Sequence, residues 1–335
     1  MTLILQPGEG DLIPTDTWFG TVAVIEPERL NLLGSLTDKW IKAKKSKHTR
    51  ACYQRDLTAW LTRCATRGLH PLQARIADVD DWIADQRRPE DETAKPAAEA
   101  SIARRVATIS SWYAYLINNT AADPEPLIKH NPARTDARPR VNRDRSTTVG
   151  LDRKETDRLI DAADADSVTT SAFIRLVLFD GLRVGSAIGA RIEGLGHDTG
   201  HRILSVVVKG GETDNVPIPP AVGDLIDAML AERGNPTTGP LFVTPRGKAM
   251  YESYAFRLVR RLARQASIPS ADKLSPHSLR HTAITELLEE TNGNLRKAQD
   301  FAGHADPRTT RRYDRRRKKL DDHGAYALAS RFSRN

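Results

Sequence analysis

Apolar side chains recur at helical spacing through most of the chain. Tyr53, Leu57, Trp60, Leu61 and Cys64 follow at steps of four, three, one and three, and Ile102, Val106, Ile109, Tyr113 and Leu116 at four, three, four and three. Such steps draw one apolar stripe along an α-helix. Between them, Ile76–Ile83 opens a shorter helix with acidic residues in its first turn, where carboxylates complement the helix dipole. The pattern predicts an all-α bundle of four or five helices over about 29–120. Residues 1–28 mix polarities without a sustained period and are expected to form an N-terminal extension.

The helical period lapses over about 121–148, where Pro124, Pro126, Pro132 and Pro139 alternate with Arg134, Arg138, Arg140, Arg143 and Arg145. Proline blocks both helix and strand ladders, so a basic, extended linker is expected there. A second domain over 149–335 follows. Helices are predicted from Leu151, at about 168–180, and then at about 220–232, 251–267, 277–290, 294–302, 307–314 and 318–332 as a C-terminal tail. The β-branched run Ile203–Val208, the turn Lys209-Gly210-Gly211-Glu212-Thr213 and the return Asn215–Ile218 read as a hairpin carrying its lysine at the turn. The fold class is therefore mainly α: a helical bundle, then a mostly helical domain with one small antiparallel sheet.

Composition narrows the setting. The chain has 335 residues and a formal net charge of +8, which favours a nucleic-acid partner. No apolar run approaches the roughly 20 residues of a bilayer span, and the first residues lack the basic leader of a signal peptide. Cys52 and Cys64 lie twelve residues apart in one predicted helix, roughly 18 Å along its axis, too far to pair. Reduced thiols and a cytoplasmic setting are expected.

The chemistry is concentrated near the C-terminus. Tyr313 is embedded in Arg311–Lys319, where seven of nine residues are basic. A phenol in that cationic field calls for a polyanion, and a DNA phosphodiester fits. Ser275 and Pro276 read as an N-cap and first helical position, which puts His277 and Arg280 one turn apart near the positive end of a helix dipole. His277 and His281 share a zinc-like spacing, but Arg280 beside them disfavours a cation. Gly303 suits a helix C-cap and Asp306-Pro307 a new helix start, so His304 falls in a tight turn ahead of Tyr313. Asp180-Gly181-Leu182-Arg183 ends an apolar helix with an arginine that needs solvent or a partner. No metal or cofactor is called for. In the first domain Lys45, Lys47, Arg50 and Arg55, then Arg104 and Arg105, are expected to meet phosphates.

The order Gly-Leu-Arg183, hairpin Lys209, His277-x-Leu-Arg280-His281, Gly-His304 and then Tyr313 nine residues later resembles the tyrosine recombinase (phage integrase) family, of the simple integrase or Xer-like type. The resemblance covers nearly the whole chain, with Thr49–Leu57 similar to that family's N-terminal DNA-binding helix. It implies a SAM-like core-DNA-binding domain and a catalytic domain of the DNA breaking-rejoining fold. It also implies that Arg183 and Arg280 clamp the scissile phosphate, that His277 and His304 support the phosphorane and proton movement, that Lys209 is the general acid, and that Tyr313 is the nucleophile. The family's usual acidic residue three positions after the first arginine is Ser186 here. The implied function is site-specific strand exchange through a 3′-phosphotyrosyl intermediate by a homotetramer on paired double-stranded sites. A directionality factor is a further partner, the tail docks on the same or a neighbouring protomer, and the protein is expected on the nucleoid. The short stretch before residue 29 suggests recognition of core sites alone. Two other readings stay open: a type IB topoisomerase-like nicking-religating enzyme, and a non-catalytic DNA-binding protein.

Overall fold

The computed structural model describes residues 26–314, apart from 90, 92, 135, 137, 140–147, 209 and 305, together with 325 and 329. The chain divides into two compact units, Met1–Asn142 and Arg143–Asn335.

Four helices make up the described part of the first unit: α1 (Pro27–Lys42), α2 (Lys47–Thr66), α3 (Ile76–Arg87) and α4 (Glu99–Thr120). Pro27 begins α1, where its missing N–H costs nothing. Ser46 caps α2 by accepting the Thr49 N–H at 3.0 Å, and the Asp78 carboxylate accepts the Arg75 N–H at 2.7 Å to start α3. The two stripes seen in the sequence meet in the core: Leu57, Trp60, Leu61 and Cys64 of α2 and Ile102, Val106, Ile109, Tyr113 and Leu116 of α4 are all buried. Four tryptophans join this core. Three of the four place their N–H on an internal acceptor: Trp40 Nε1–H donates to Ser111 Oγ at 3.3 Å, Trp60 Nε1–H to Tyr113 Oη at 2.9 Å and Trp112 Nε1–H to Thr37 Oγ1 at 3.0 Å, while Tyr113 donates to the Pro71 carbonyl at 2.8 Å. Both cysteines are free thiols, and burial pushes Cys64 up to about 12.

Part of the proline-containing stretch packs here as well. Leu127, Ile128 and Ala133 are buried in the same core, the Leu127 N–H donates to Thr120 Oγ1 at 3.2 Å, and Asn131 Nδ2 donates to the Ser110 carbonyl at 2.9 Å. Proline removes helix and strand hydrogen bonds, and bonds with side-chain partners, donor and acceptor, take their place.

The second unit runs α5 (Arg153–Asp166), α6 (Val168–Phe179), α7 (Val184–Ile188), β1 (Leu195–Asp198), β2 (His201–Val207), β3 (Thr213–Pro217), α8 (Pro220–Glu232), α9 (Glu252–Gln265), α10 (Pro276–Glu290), α11 (Leu295–Ala302) and α12 (Pro307–Arg311). Helix α6 is the hub, buried nearly all round through Phe173, Ile174, Leu176, Val177 and Leu178, and it packs on α5, α8 and α10. The expected hairpin is present as β2–β3, with Leu204 opposite Val216, and β1 extends it to an antiparallel sheet in the order β1-β2-β3. Neither β1 nor α7 was expected; four and five residues are too few to establish a period. Helix α12 stops at Arg311 rather than near 314, because the Tyr313 N–H turns back to the Thr310 carbonyl at 3.0 Å in a tighter turn. Lys209, Arg140, Arg143, Arg145 and the tail-helix expectation at 318–332 lie outside the described residues. Among the described residues no helix is long and apolar enough to cross a membrane.

Trp40, Trp60, Trp82 and Trp112 lie in the first unit's core and no tryptophan follows residue 112, so indole fluorescence does not report the second unit. Tyr113→Phe leaves the Trp60 N–H without its acceptor and takes from the Pro71 carbonyl one of two donors, the other being the Ala74 N–H. It is expected to lower this unit's stability by about 1–3 kcal/mol, seen as an earlier fluorescence transition in urea on the full chain.

Candidate active site

Helix α10 begins with a reciprocal cap: Ser275 Oγ accepts the Ser278 N–H at 3.3 Å, and Ser278 Oγ accepts the Ser275 N–H at 3.2 Å. Pro276 follows as the first helical residue. This fixes His277 at the solvent-facing start of the helix and Arg280 one turn further in, where it is only 4% exposed. A buried guanidinium must find acceptors. Arg280 Nη1 donates to the Gly181 carbonyl, Nη2 to the Ala302 carbonyl, and Nη2 also lies 3.1 Å from His304 Nε2.

Arg183 caps α7 in extended conformation, is half-buried, and donates from Nη2 to the Gly303 carbonyl at 3.2 Å. Gln299 Nε2 donates to the His304 carbonyl at 2.9 Å. Three successive carbonyls, of Ala302, Gly303 and His304, are thus held by three side chains. Gly303 closes α11 in the left-handed region (φ 54°, ψ 47°), as expected of a C-cap glycine. Asp306 caps α12 by accepting the Arg308 N–H at 2.9 Å. Gly181 is required on two counts: its φ is +55°, and a Cβ there would stand 2.6 Å from the Phe301 ring.

Tyr313 closes the site. Its ring lies against His281, centroids 4.9 Å apart, and is stacked near His304 at 5.9 Å. It is 6% exposed. Burial raises its pKa, and the opposing pull of Arg280, Arg312 and Arg183 does not offset it. Neighbouring cations favour the phenolate, but in the free protein desolvation outweighs them. Burial and the Arg183 charge lower Arg280 to about 10, so it stays protonated at neutral pH. His304 is lowered to about 4 by burial, then by Arg280, Arg183 and His277, and His277 is lowered by desolvation and the two arginines. Both imidazoles are neutral near pH 7.

The structure thus brings Arg183, His277, Arg280, His304 and Tyr313 into one electrostatic neighbourhood. Ser186, at the usual acidic position, is buried and donates to the Val207 carbonyl at 2.8 Å, tying α7 to the end of β2. A carboxylate could not make that bond, because it only accepts. Gln299 and Thr310 were missed by sequence reasoning, since neither carries charge. Asp180, also missed, is 7% exposed with Oδ2 unpartnered, and burial pushes it up to about 7. Among the described residues no cluster of His, Cys, Asp or Glu is arranged to hold a metal ion.

In the first unit, Lys45 and Lys47 are exposed at the α1–α2 junction, with Arg50 half-buried and donating to the Lys44 carbonyl at 3.4 Å. Arg55 is exposed further along α2. The other pair diverges: Arg104 is ion-paired with the buried Asp56 of α2, whereas Arg105 donates to Gln86 of α3 at 2.8 Å. Both are partly committed to holding helices together. Lys44 lies over the rings of Trp40 and Tyr53 at 4.5 and 4.8 Å.

The family model described as "Phage integrase family" matches residues 150–319, and "Phage integrase, N-terminal SAM-like domain" matches residues 37–120. The tyrosine recombinase XerD of Ralstonia nicotianae is 31% identical over 306 residues, covering 86% of this chain and 92% of its own. The tyrosine recombinase XerC of Thermodesulfovibrio yellowstonii is 27% identical over 286 residues, covering 82% and 88%. Among solved structures, the XerH site-specific recombinase in a post-cleavage complex with a palindromic difH substrate aligns with a TM-score of 0.67 at 16% identity, over 94% of this chain and 92% of that one. A lambda integrase (75-356) dimer bound to a COC′ core site aligns at 0.63 and 16% identity, over 86% and 98%. These two likenesses bear on the fold, which they share.

Asp180 supplies a pH test. Its folded-state pKa, about 7, lies above the ordinary 3.8, so between those values the native state holds a proton that the unfolded chain has released. Stability therefore falls as pH rises through that window. Asp180→Asn removes the titration, so the variant's melting temperature relative to the parent is expected to be higher at pH 8 than at pH 4. Equal differences at both pH values, measured by circular dichroism, would contradict this.

Proposed function

The chain belongs to the phage integrase family of tyrosine recombinases, the enzymes of site-specific DNA recombination, and from that premise we propose that it cleaves and rejoins duplex DNA through Tyr313. The observation that carries the reading is the gathering of Tyr313, Arg280, Arg183 and His304 of one chain around the 302–304 turn, with His277 at the open end.

Each arginine anchors itself on backbone carbonyls and keeps further N–H groups for an anion. A planar guanidinium offers a fork that suits two phosphate oxygens and stays charged. The Tyr313 oxygen attacks phosphorus, the P–O5′ bond breaks, and a 3′-phosphotyrosyl bond replaces it. The phenolic proton passes to a neighbouring base, and Lys209, assigned from the motif order, protonates the departing 5′-oxygen. One phosphodiester is exchanged for another, so no nucleotide hydrolysis is needed. A second duplex's 5′-hydroxyl then reverses the step and completes strand exchange. Entry of a phosphate adds negative charge beside the phenol and so disfavours a free phenolate, which makes the phenol proton leave in concert with attack on phosphorus.

Lys45, Lys47, Arg50 and Arg55 suit contact with the DNA backbone, with Arg104 and Arg105 contributing where their helix partners leave N–H groups free. The acting form in this reading is a homotetramer on paired sites on the nucleoid, its direction set by an accessory factor. The relatives are recombinases, which favours neither a topoisomerase nor a non-catalytic DNA-binding protein.

Duplexes selected from a random pool by binding to the protein, then nicked so that cleavage sheds a short fragment, provide the test. The parent is expected to form a covalent adduct that survives detergent, and Tyr313→Phe to bind the same DNA without forming it. Arg280→Ala is expected to slow adduct formation by roughly 10²–10³. An undiminished adduct with Tyr313→Phe, or plasmid relaxation without exchange between two duplexes, would overturn the reading.

A further inference from the structure

Helix α2 carries Lys47, Arg50, Arg55 and Arg63, and Asp56 is its sole acidic residue. A carboxylate displayed among cations would repel a phosphate backbone. Asp56 is instead turned inward: it is 1% exposed, whereas its neighbour Arg55 is exposed. Its Oδ2 accepts from Arg104 Nη1 of α4 and from Thr108 Oγ1, 3.2 Å away. The Thr108 oxygen is also 3.1 Å from the Arg104 carbonyl, so one turn of α4 braces both members of the ion pair. The pair is lopsided, with the carboxylate side chain 2% exposed and the arginine side chain 42%. Among the described residues the Arg104 guanidinium has no partner besides Asp56.

Holding α2 to α4 does not by itself call for these residues. A buried carboxylate is desolvated at a cost, and apolar side chains of similar volume join two helices equally well. An apolar contact cannot orient a guanidinium. A carboxylate fixed in the core can, because the group is planar and one bonded N–H leaves its remaining donors in a set direction. Arg105, one residue on, is held by the neutral Gln86 at 2.8 Å.

We propose that Asp56 is a positioning residue that fixes the half-exposed Arg104 guanidinium between α2 and α4 as a preformed contact for a DNA phosphate. This deepens, and rests on, the DNA-binding part of the reading above. A long side chain ordered before binding loses less freedom when the phosphate arrives. The consequence runs against simple charge counting: taking a negative charge out of this basic helix weakens its hold on DNA.

The experiment measures binding of the full chain to an intact labelled duplex, taken from the selected pool, over a range of salt concentrations. Arg104→Gln is expected to flatten the slope of log affinity against log salt by about 0.9, the share of one phosphate. Asp56→Asn keeps the shape and makes the chain more positive. It is expected to flatten the slope by roughly half to all of that amount, and to weaken binding at about 0.15 M salt by roughly threefold to tenfold. The two changes together should cost no more than Arg104→Gln alone, because they remove the same contact. Tryptophan fluorescence checks that the first unit of each variant is folded. Should Asp56→Asn fail to fold, side-chain nitrogen relaxation of the parent decides, with Arg104 expected to be held and Arg55 mobile. Asp56→Asn binding as tightly as the parent or tighter, Arg104→Gln keeping the parent's slope, or an Arg104 as mobile as Arg55 overturns the proposal. Binding is read without cleavage. A chain that bound duplex in this way yet formed no adduct would therefore lose the recombinase reading and keep the role of Asp56.

Discussion

Three side-chain donors grip three consecutive carbonyls at the Ala302–His304 turn, and the site depends on that grip. Arg280 holds the first, Arg183 the second and Gln299 the third. A helix C-terminus leaves its last carbonyls without partners, so a donor placed there both satisfies the backbone and is itself fixed. Here two of the donors are the cations that phosphate chemistry needs. The turn in turn aims His304 inward and starts α12 so that Tyr313 arrives two short turns later. Gly303 in the left-handed region and Gly181 under the Phe301 ring are the backbone conditions for this closeness.

The same arrangement leaves an electrostatic imbalance. None of the described ion pairs involves Arg183 or Arg280, and the carboxyl closest in sequence, Asp180, is pushed up to about 7 by burial. Two guanidiniums, two neutral imidazoles and a neutral phenol surround a space without a counter-anion from the described side chains. Burial wins over Coulomb attraction at Tyr313 in the free protein, which keeps the phenol protonated. A phosphodiester would supply the missing charge between the guanidiniums, so that substrate binding completes the site.

Much of this was legible in the residues. The stripes through Trp60 and Tyr113 are long and strictly periodic, and they define the first unit's core as read. The Ser275-Pro276 start, the Gly303 cap and the Asp306-Pro307 start carry capping chemistry that acts locally, so they hold in the structure. What escaped notice depends on tertiary placement. Strand β1 and helix α7 are too short to show a period. Leu127 and Ile128 look like punctuation among prolines until the core that receives them exists. Thr310 and Gln299 have no charge to advertise, and only their distances to His304 place them at the site. The raised pKa of Tyr313 likewise follows from burial that no local pattern specifies.

In the proposed reaction one chain brings together its own tyrosine, guanidinium pair and histidines. Mixing the Tyr313→Phe and Arg280→Ala chains on a nicked duplex tests it most directly. Neither chain then owns both the phenol and the buried guanidinium, so the account predicts no more covalent adduct from the mixture than from the two chains separately. A strong adduct appearing only on mixing would show that the tyrosine acts in a neighbour's site, and the account would be wrong.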